Sequence, residues 1–285
     1  MSHSAASVPP RSVLVADDDR STRFAISATL RKAGFQVAEA NDGADTIRRI
    51  AKDKFDLVFL DIWMPGVNGL EVLKQLRAAK VQPKVIVMTS DNTPQTLLQA
   101  IREQAHEYVS KPFPPSQAVE LAERALAANA LPIEVISAQP HWVELLVPCT
   151  RDAAERVESF MMKLEATLPT DLRDTIGQAF RELLLNAVEW GGKLDPNRKV
   201  RIASVRSPNM VMYRIADPGQ GFDPAKLPHA AVGQPDDDPT AHVLVRDQLG
   251  IRPGGFGLMM TRAMADELIY NEARNEVIFI KYLRG

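Results

Sequence analysis

Cysteine is nearly absent from this chain: Cys149 is the one such residue in 285, which excludes an internal disulfide and leaves stability to the apolar core. No run of about 18 apolar residues and no signal-peptide core is present, which predicts a cytoplasmic protein with no membrane partner. A basic surplus is missing too. The formal net charge is -2 and no helical stretch clusters Lys and Arg, so a nucleic-acid partner and a DNA-reading output are set aside. Histidine is scarce: His3, His106, His141, His229 and His242 fall in the tail, before a strand, in a linker or in loops, and none sits on a helix as a phosphoacceptor would.

With 45% apolar and 25% charged residues, 285 residues suffice for two domains, each with its own core. Residues 1–11, rich in Ser, Ala and Pro without periodicity, read as a disordered tail.

In the first half, β-rich apolar runs near 13–16, 36–39, 56–60, 84–88 and 108–109 alternate with helical patterns near 20–33, 43–53, 69–79, 94–104 and 115–128. That alternation predicts a doubly wound, five-stranded parallel sheet, with turns at Gly34, Asn41-Asp42-Gly43 and Pro65-Gly66. Ligand sites in such sheets lie beyond the carboxyl ends of the strands. Asp17, Asp18 and Asp19, then Asp61, Thr89 and Lys111, all stand at those ends. Carboxylates from two strands suit Mg²⁺, with Asp18 and Asp61 as ligands and Asp17 behind them or acting through water. A carboxylate beside a metal can act as a nucleophile toward phosphorus while a lysine and a hydroxyl receive the phosphoryl oxygens, and Asp61 is best placed for it. Singly, an Asp cluster reads as a helix cap and a Lys as surface charge; the matches in register argue for a site.

The segments Val15-Ala16-Asp17-Asp18-Asp19, Leu60-Asp61-Ile62-Trp63-Met64-Pro65-Gly66, Val87-Met88-Thr89-Ser90 and Lys111-Pro112-Phe113 resemble those of response-regulator receiver domains, over residues 12–129. The resemblance implies phosphorylation at Asp61 by an upstream histidine kinase or phosphotransfer protein, a metal-contacting carbonyl at Trp63, a switch through Thr89 and Tyr108, and a cis bond at Lys111-Pro112.

Pro132 and Pro140 interrupt the chain after the last receiver helix, which predicts a linker over 130–141 and a second domain over 142–285. There a strand near 142–147 precedes helices near 151–167 and 170–190, the latter stopping at Gly191-Gly192, and strands near 199–206 and 210–217 follow. Glu182, Asn186 and Glu189 recur at helical spacing, so a carboxylate and an amide could hold Mg²⁺ and a water. Asp217-Pro218-Gly219-Gln220-Gly221 could present a carboxylate to a base amino group while Gly219 and Gly221 let the backbone approach closely. Gly254-Gly255-Phe256-Gly257-Leu258 opens a helix whose free amides can receive phosphates.

This ordered set resembles the Bergerat-type ATP-binding fold, an α/β sandwich shared by histidine kinases and gyrase-like ATPases. Arg181-Glu182-Leu183-Leu184-Leu185-Asn186-Ala187 and Gly221-Phe222-Asp223 are most similar to the anti-sigma-factor serine kinases, with one departure: Trp190 stands where His is common. The resemblance implies Mg²⁺ on Asn186, Glu182 as base or water-positioner, Asp217 on adenine, Gly255, Gly257 and Leu258 at the ATP phosphates, and a lid over 222–254 carrying Asp236-Asp237-Asp238. It also favours a homodimer. The interval between Asn129 and Trp142 is too short for the acceptor-bearing hairpin of a self-contained histidine kinase. Three outputs stay open: a serine/threonine kinase acting on an anti-sigma antagonist, a nucleotide-dependent module that sequesters a sigma factor, and half of a split histidine kinase.

Overall fold

The computed structural model describes residues 11–79, 83–91, 93–127, 131–221 and 257–283, and the chain forms two compact units, Met1–Ala130 and Leu131–Gly285.

In the first unit five strands, β1 (Ser12–Ala16), β2 (Gln36–Ala40), β3 (Leu57–Asp61), β4 (Lys84–Thr89) and β5 (Glu107–Ser110), form one parallel sheet in the order β2-β1-β3-β4-β5. Helices cover both faces, so β3 is buried at every position, which is why its sequence is a continuous apolar run rather than an alternating one. The helices are α1 (Arg20–Lys32), α2 (Gly43–Lys52), α3 (Gly69–Ala78), α4 (Pro94–Arg102) and α5 (Pro115–Ala127). Short polar side chains start four of them. Asp19, Asp42, Asn68 and Thr93 accept from first-turn amides of α1, α2, α3 and α4, satisfying donors that have no partner within the helix. Val13, Val15, Leu57, Phe59, Ile86 and Met88 pack with Ile26, Leu30, Leu121 and Ala122 as one side of the core. Strand order reverses at β1, between β2 and β3, which opens the crevice beyond the carboxyl ends of β1 and β3.

The second unit is an antiparallel sheet of β6 (Glu134–Gln139), β7 (Trp142–Pro148), β8 (Lys199–Arg206), β9 (Met210–Ala216), β10 (Glu267–Tyr270) and β11 (Glu276–Tyr282), ordered β10-β11-β9-β8-β7-β6. With it go α6 (Arg151–Leu164), α7 (Thr170–Asn186), a π-helical turn at Ala187–Gly191, and α8 (Gly257–Met264). Alternate residues Val143, Leu145, Val147, Val200, Ile202, Val211, Tyr213, Ile215, Val277 and Phe279 are buried, as expected of strands with one covered face. Phe180 of α7 meets the Tyr213 ring at 4.7 Å between centroids, tying that helix to β9.

One sequence expectation is corrected. Residues 134–139, read as linker, form the edge strand β6: the flanking prolines bound a strand, and a bulge between Val135 and Ser137 breaks the alternation that would have revealed it. The helix ends at Gly191-Gly192 as expected: the π-helical turn finishes at Gly191 and Gly192 is its C-cap. Gly192 is right-handed, and the positive φ angles fall on Lys193 and Leu194, at 57° and 53°.

Candidate functional site

In the first unit, β1 and β3 place their carboxyl-end acids side by side. Asp17 is fully buried and Asp61 nearly so, while Asp18 is exposed, and one oxygen from each of the three carboxylates lies within 4.8 Å of the others. Lys111, which follows β5, sends Nζ between two of them, 2.6 Å from Asp17 Oδ2 and 2.8 Å from Asp61 Oδ2. Backbone pairing delivers it there: Thr89 is opposite Ser110, and the Lys111 amide donates to the Thr89 carbonyl at 2.8 Å. The Lys111-Pro112 bond is cis.

Burial raises the pKa of Asp17 and of Asp61, with the Lys111 ammonium partly opposing the rise in each. Lys111 shows the converse. Its burial alone would depress its pKa, but hydrogen bonds to both carboxylates outweigh that and the net shift is upward. The pocket is thus a cluster of acids held by one cation, whose all-oxygen donor set fits Mg²⁺. Trp63 stands at the rim with its indole exposed, and its amide is 3.4 Å from Asp61 Oδ1. Thr89 is buried at the end of β4. Asp19 is turned to another task, capping α1.

Sequence reasoning overlooked Arg23. From α1 its Nη1 donates to the Asp17 carbonyl at 2.6 Å, and its Nε lies 3.5 Å from Glu39, so the acidic turn is held from below by a guanidinium. The six-residue spacing to Asp17 carries no signal until α1 folds back over the strand end.

In the second unit, three strand ends meet. Cys149 follows β7, Arg198 precedes β8 and Asp217 follows β9, and the register Pro148 opposite Lys199 and Arg201 opposite Ala216 brings them together. Asp217 Oδ1 accepts from the Gly219 amide at 2.7 Å, and its backbone amide donates to the Asn275 carbonyl at 2.8 Å. Asn275 Nδ2 in turn donates to the Gly219 carbonyl at 3.0 Å, fixing the turn. Burial raises the Asp217 pKa, opposed by the Gly219 amide and by the Arg198 guanidinium, which also donates to the Pro218 carbonyl.

Glycines wall this carboxylate. A Cβ on Gly191 would overlap the Asp217 carboxylate, one on Gly192 would overlap Cys149 Sγ, and one on Gly219 would crowd Asp217 Oδ1. Gly191 and Gly192, which end the helix as expected, also allow this close approach. Gly221 has φ +82°, and a side chain there would run into the Ala273 carbonyl. Cys149 is buried, and desolvation pushes its thiol up to about 11, which leaves it unreactive.

Glu182 and Asn186, one helical turn apart at the end of α7, are both half-buried. Gly257 begins α8 directly against Glu182, so close that a Cβ there would overlap Glu182 Oε2. Leu258 is half-buried beside it. Glu189 lies in the π-helical turn and pairs with Arg151 at 3.0 Å. Gly255, the 222–254 segment and the Asp236-Asp237-Asp238 run lie outside the described residues. Asp217 is thus packed against glycine backbone, and Glu182 and Asn186 lie on the helix that runs into Gly191.

Two family models match: "Response regulator receiver domain" over residues 13–123 and "Histidine kinase-like ATPase domain" over residues 147–281. Among curated proteins, the chain is 33% identical over 181 residues to the DNA-binding response regulator MtrA of Mycolicibacterium smegmatis, spanning 63% of this chain and 78% of that one. It is 31% identical over 184 residues to the DNA-binding transcriptional regulator NtrC of Azospirillum brasilense, covering 64% of this chain but only 38% of that relative's length. Among solved structures, the receiver domain of NtrX from Brucella abortus is 29% identical, covering 41% of this chain and 99% of that one with a TM-score of 0.39. No helix among the described residues is long and apolar enough to cross a membrane.

Proposed function

The chain belongs to the response-regulator family and carries a histidine kinase-like ATPase domain behind its receiver, and on that premise we propose that phosphorylation of Asp61 controls an ATP-dependent protein kinase acting on a serine or threonine of a separate regulator. The regulator's proposed class is an anti-sigma antagonist, and the phosphodonor to Asp61 is an upstream histidine kinase or phosphotransfer protein.

The observation that carries the reading is the occurrence of two clusters of phosphate- and nucleotide-type side chains in one chain. In the first, Lys111 Nζ bridges Asp17 and Asp61; in the second, Asp217 is walled by Gly191 and Gly219, and Glu182 lies against Gly257. At the first, an Asp61 carboxylate oxygen attacks phosphorus and the donor leaves, while Lys111 shifts its charge onto the new phosphoryl oxygens. Bound Mg²⁺ supplies further neutralisation of the phosphoryl charge. At the second, Asp217 accepts from the adenine amino group, Asn186 would provide an amide oxygen for the metal, and Glu182 takes the proton of the acceptor hydroxyl as its oxygen attacks the γ-phosphorus and ADP leaves. Of the 11 described residues between α5 and β7, 131–141, β6 occupies six, so these residues offer no helical hairpin bearing an acceptor histidine. That favours a substrate on another chain.

The test is incubation of the purified protein with Mg²⁺, γ-labelled ATP and an extract of the source cells, beside the Asn186→Ala variant. Acid-stable label on a second protein, lost in the variant, is the expected result. Acid-labile label would assign the domain to a split histidine kinase. ATP binding without transfer would replace catalysis by nucleotide-dependent sequestration.

A further inference from the structure

The turn that carries Asp217 is held from outside. Pro218 has no amide to donate, and the bond within the turn runs from the Gly219 amide to Asp217 Oδ1, so the turn's carbonyls need donors from elsewhere. Two strand ends supply them. Arg198, just ahead of β8, donates to the Pro218 carbonyl. Asn275, just ahead of β11, donates from Nδ2 to the Gly219 carbonyl at 3.0 Å, and its own carbonyl accepts from the Asp217 amide at 2.8 Å. Asn275 is itself oriented by Asn271. Asn271 Oδ1 accepts from the backbone amides of Asn275 at 3.1 Å and Glu276 at 3.2 Å, and its Nδ2 donates to Asn275 Oδ1 at 2.8 Å. Backbone amides only donate and the Gly219 carbonyl only accepts, so the polarity of this series of bonds is set from both ends: Asn271 turns its oxygen to the hairpin, and Asn275 its nitrogen to the Asp217 turn.

We propose that Asn275 is the positioning residue for Asp217, and that the Asn271–Asn275 amide pair in the β10–β11 hairpin sets how well this chain tells adenine from a base without an amino group. The inference rests on the reading of Asp217 as the acceptor for that amino group. Oδ1 of Asp217 already accepts from Gly219, so recognition of the base falls to Oδ2, whose place depends on both ends of the turn. Asn275 fixes both. Its carbonyl holds the Asp217 amide, and its Nδ2 holds the Gly219 carbonyl and so keeps the Gly219 amide aimed at Oδ1. A displacement of well under an ångström at the carboxylate is enough to lose a bond to the base. Asn271 offers a way to release the turn without losing the hairpin. Asn271→Asp keeps an oxygen for the amides of Asn275 and Glu276 but sets a second oxygen against Asn275 Oδ1, so the Asn275 amide turns over and its nitrogen leaves Gly219.

Isothermal titration of the full chain with the Mg²⁺ complexes of ATP and of purine riboside triphosphate, which lacks the amino group, tests this. The wild type is expected to prefer ATP. Asn275→Ala and Asn271→Asp should each weaken ATP binding about tenfold, the worth of one well-placed bond, and leave the affinity for the analogue as it was. Hydrogen exchange should show the Gly219 amide released while β8, β9 and β11 stay protected, which separates the effect from unfolding. Should Asn275→Ala not fold, Asn271→Asp carries the test, since it retains the hairpin bonds. In an Asp217→Ala background, either change should cost nothing more. Equal losses for both nucleotides, or a loss of ATP affinity that persists in the Asp217→Ala background, would overturn the positioning role while leaving ATP binding itself in place. Wild-type protein that binds neither nucleotide, or binds both alike, would instead remove Asp217 as the acceptor for the adenine amino group, and the positioning role with it.

Discussion

Replacing Lys111 by Met removes the cation between two carboxylates whose side chains are at most 6% exposed, and the cost can be bounded. Breaking a buried ion pair by deleting one partner costs about 3–5 kcal/mol, because the other charge stays buried and uncompensated. The folded state has an escape, which is to protonate one carboxyl. Against an unfolded value of 3.8, that escape costs about 4 kcal/mol at pH 7 and about 1.5 kcal/mol at pH 5. Lys111→Met is therefore expected to destabilise the first unit by about 3–4 kcal/mol at pH 7 and by no more than about 1.5 kcal/mol at pH 5. The assay is urea unfolding at both pH values, followed by Trp63 fluorescence in a Trp142→Phe, Trp190→Phe background, since Trp63 is the one tryptophan of the first unit. Added Mg²⁺ should recover part of the loss at pH 7 by restoring positive charge to the pocket. A destabilisation as large at pH 5 as at pH 7, or indifferent to Mg²⁺, would refute the electrostatic account and leave Lys111 with a packing role.

Other outcomes follow from the same geometry. Because burial raises the folded-state values of Asp17 and Asp61 above 3.8, the metal-free first unit should lose stability as pH rises through that raised range, while Mg²⁺ affinity, which needs ionised carboxylates, should fall as pH drops through it; calorimetric titration across the range reads both. Asp217→Asn should weaken ATP binding about 10–100-fold by removing a charged acceptor, with beryllofluoride binding at Asp61 unchanged, as measured by isothermal titration. Gly191→Ala should destabilise the second unit by about 1–3 kcal/mol and also weaken ATP binding, since its Cβ overlaps the Asp217 carboxylate; thermal melts with and without ATP separate the two effects. Asp61→Ala should abolish labelling by a small-molecule phosphodonor and alter output while ATP affinity is kept.

The first unit was legible because its physics is local. A parallel strand buried on both faces must be apolar throughout, as Leu57–Leu60 is, and a helix must begin with a residue that can take its free amides, as Asp42 and Asn68 do. Asp17, Asp61, Thr89 and Lys111 could be placed at strand carboxyl ends from spacing alone, and the strands lie where the apolar runs stand. The second unit was read less completely. β6 was hidden by its prolines and bulge, and β10 and β11 were not anticipated, although Val277 and Phe279 alternate as inward residues should. The Gly191-Gly192 pair was noticed for helix termination, which it provides, while its contact with Asp217 and Cys149 was not foreseen.

The sequence by itself determined the periodicities, and through them the parallel sheet, the ends of its strands and the chemical types gathered there. Periodicity is a property of neighbours along the chain, so it survives without coordinates. Which carboxylates Lys111 bridges, that Arg23 holds the Asp17 turn, that Glu182 lies under Gly257 and that Asn275 holds the Asp217 turn were decided only in the tertiary structure. Those contacts depend on where separate elements come to rest, at distances where an ångström decides between a hydrogen bond and none.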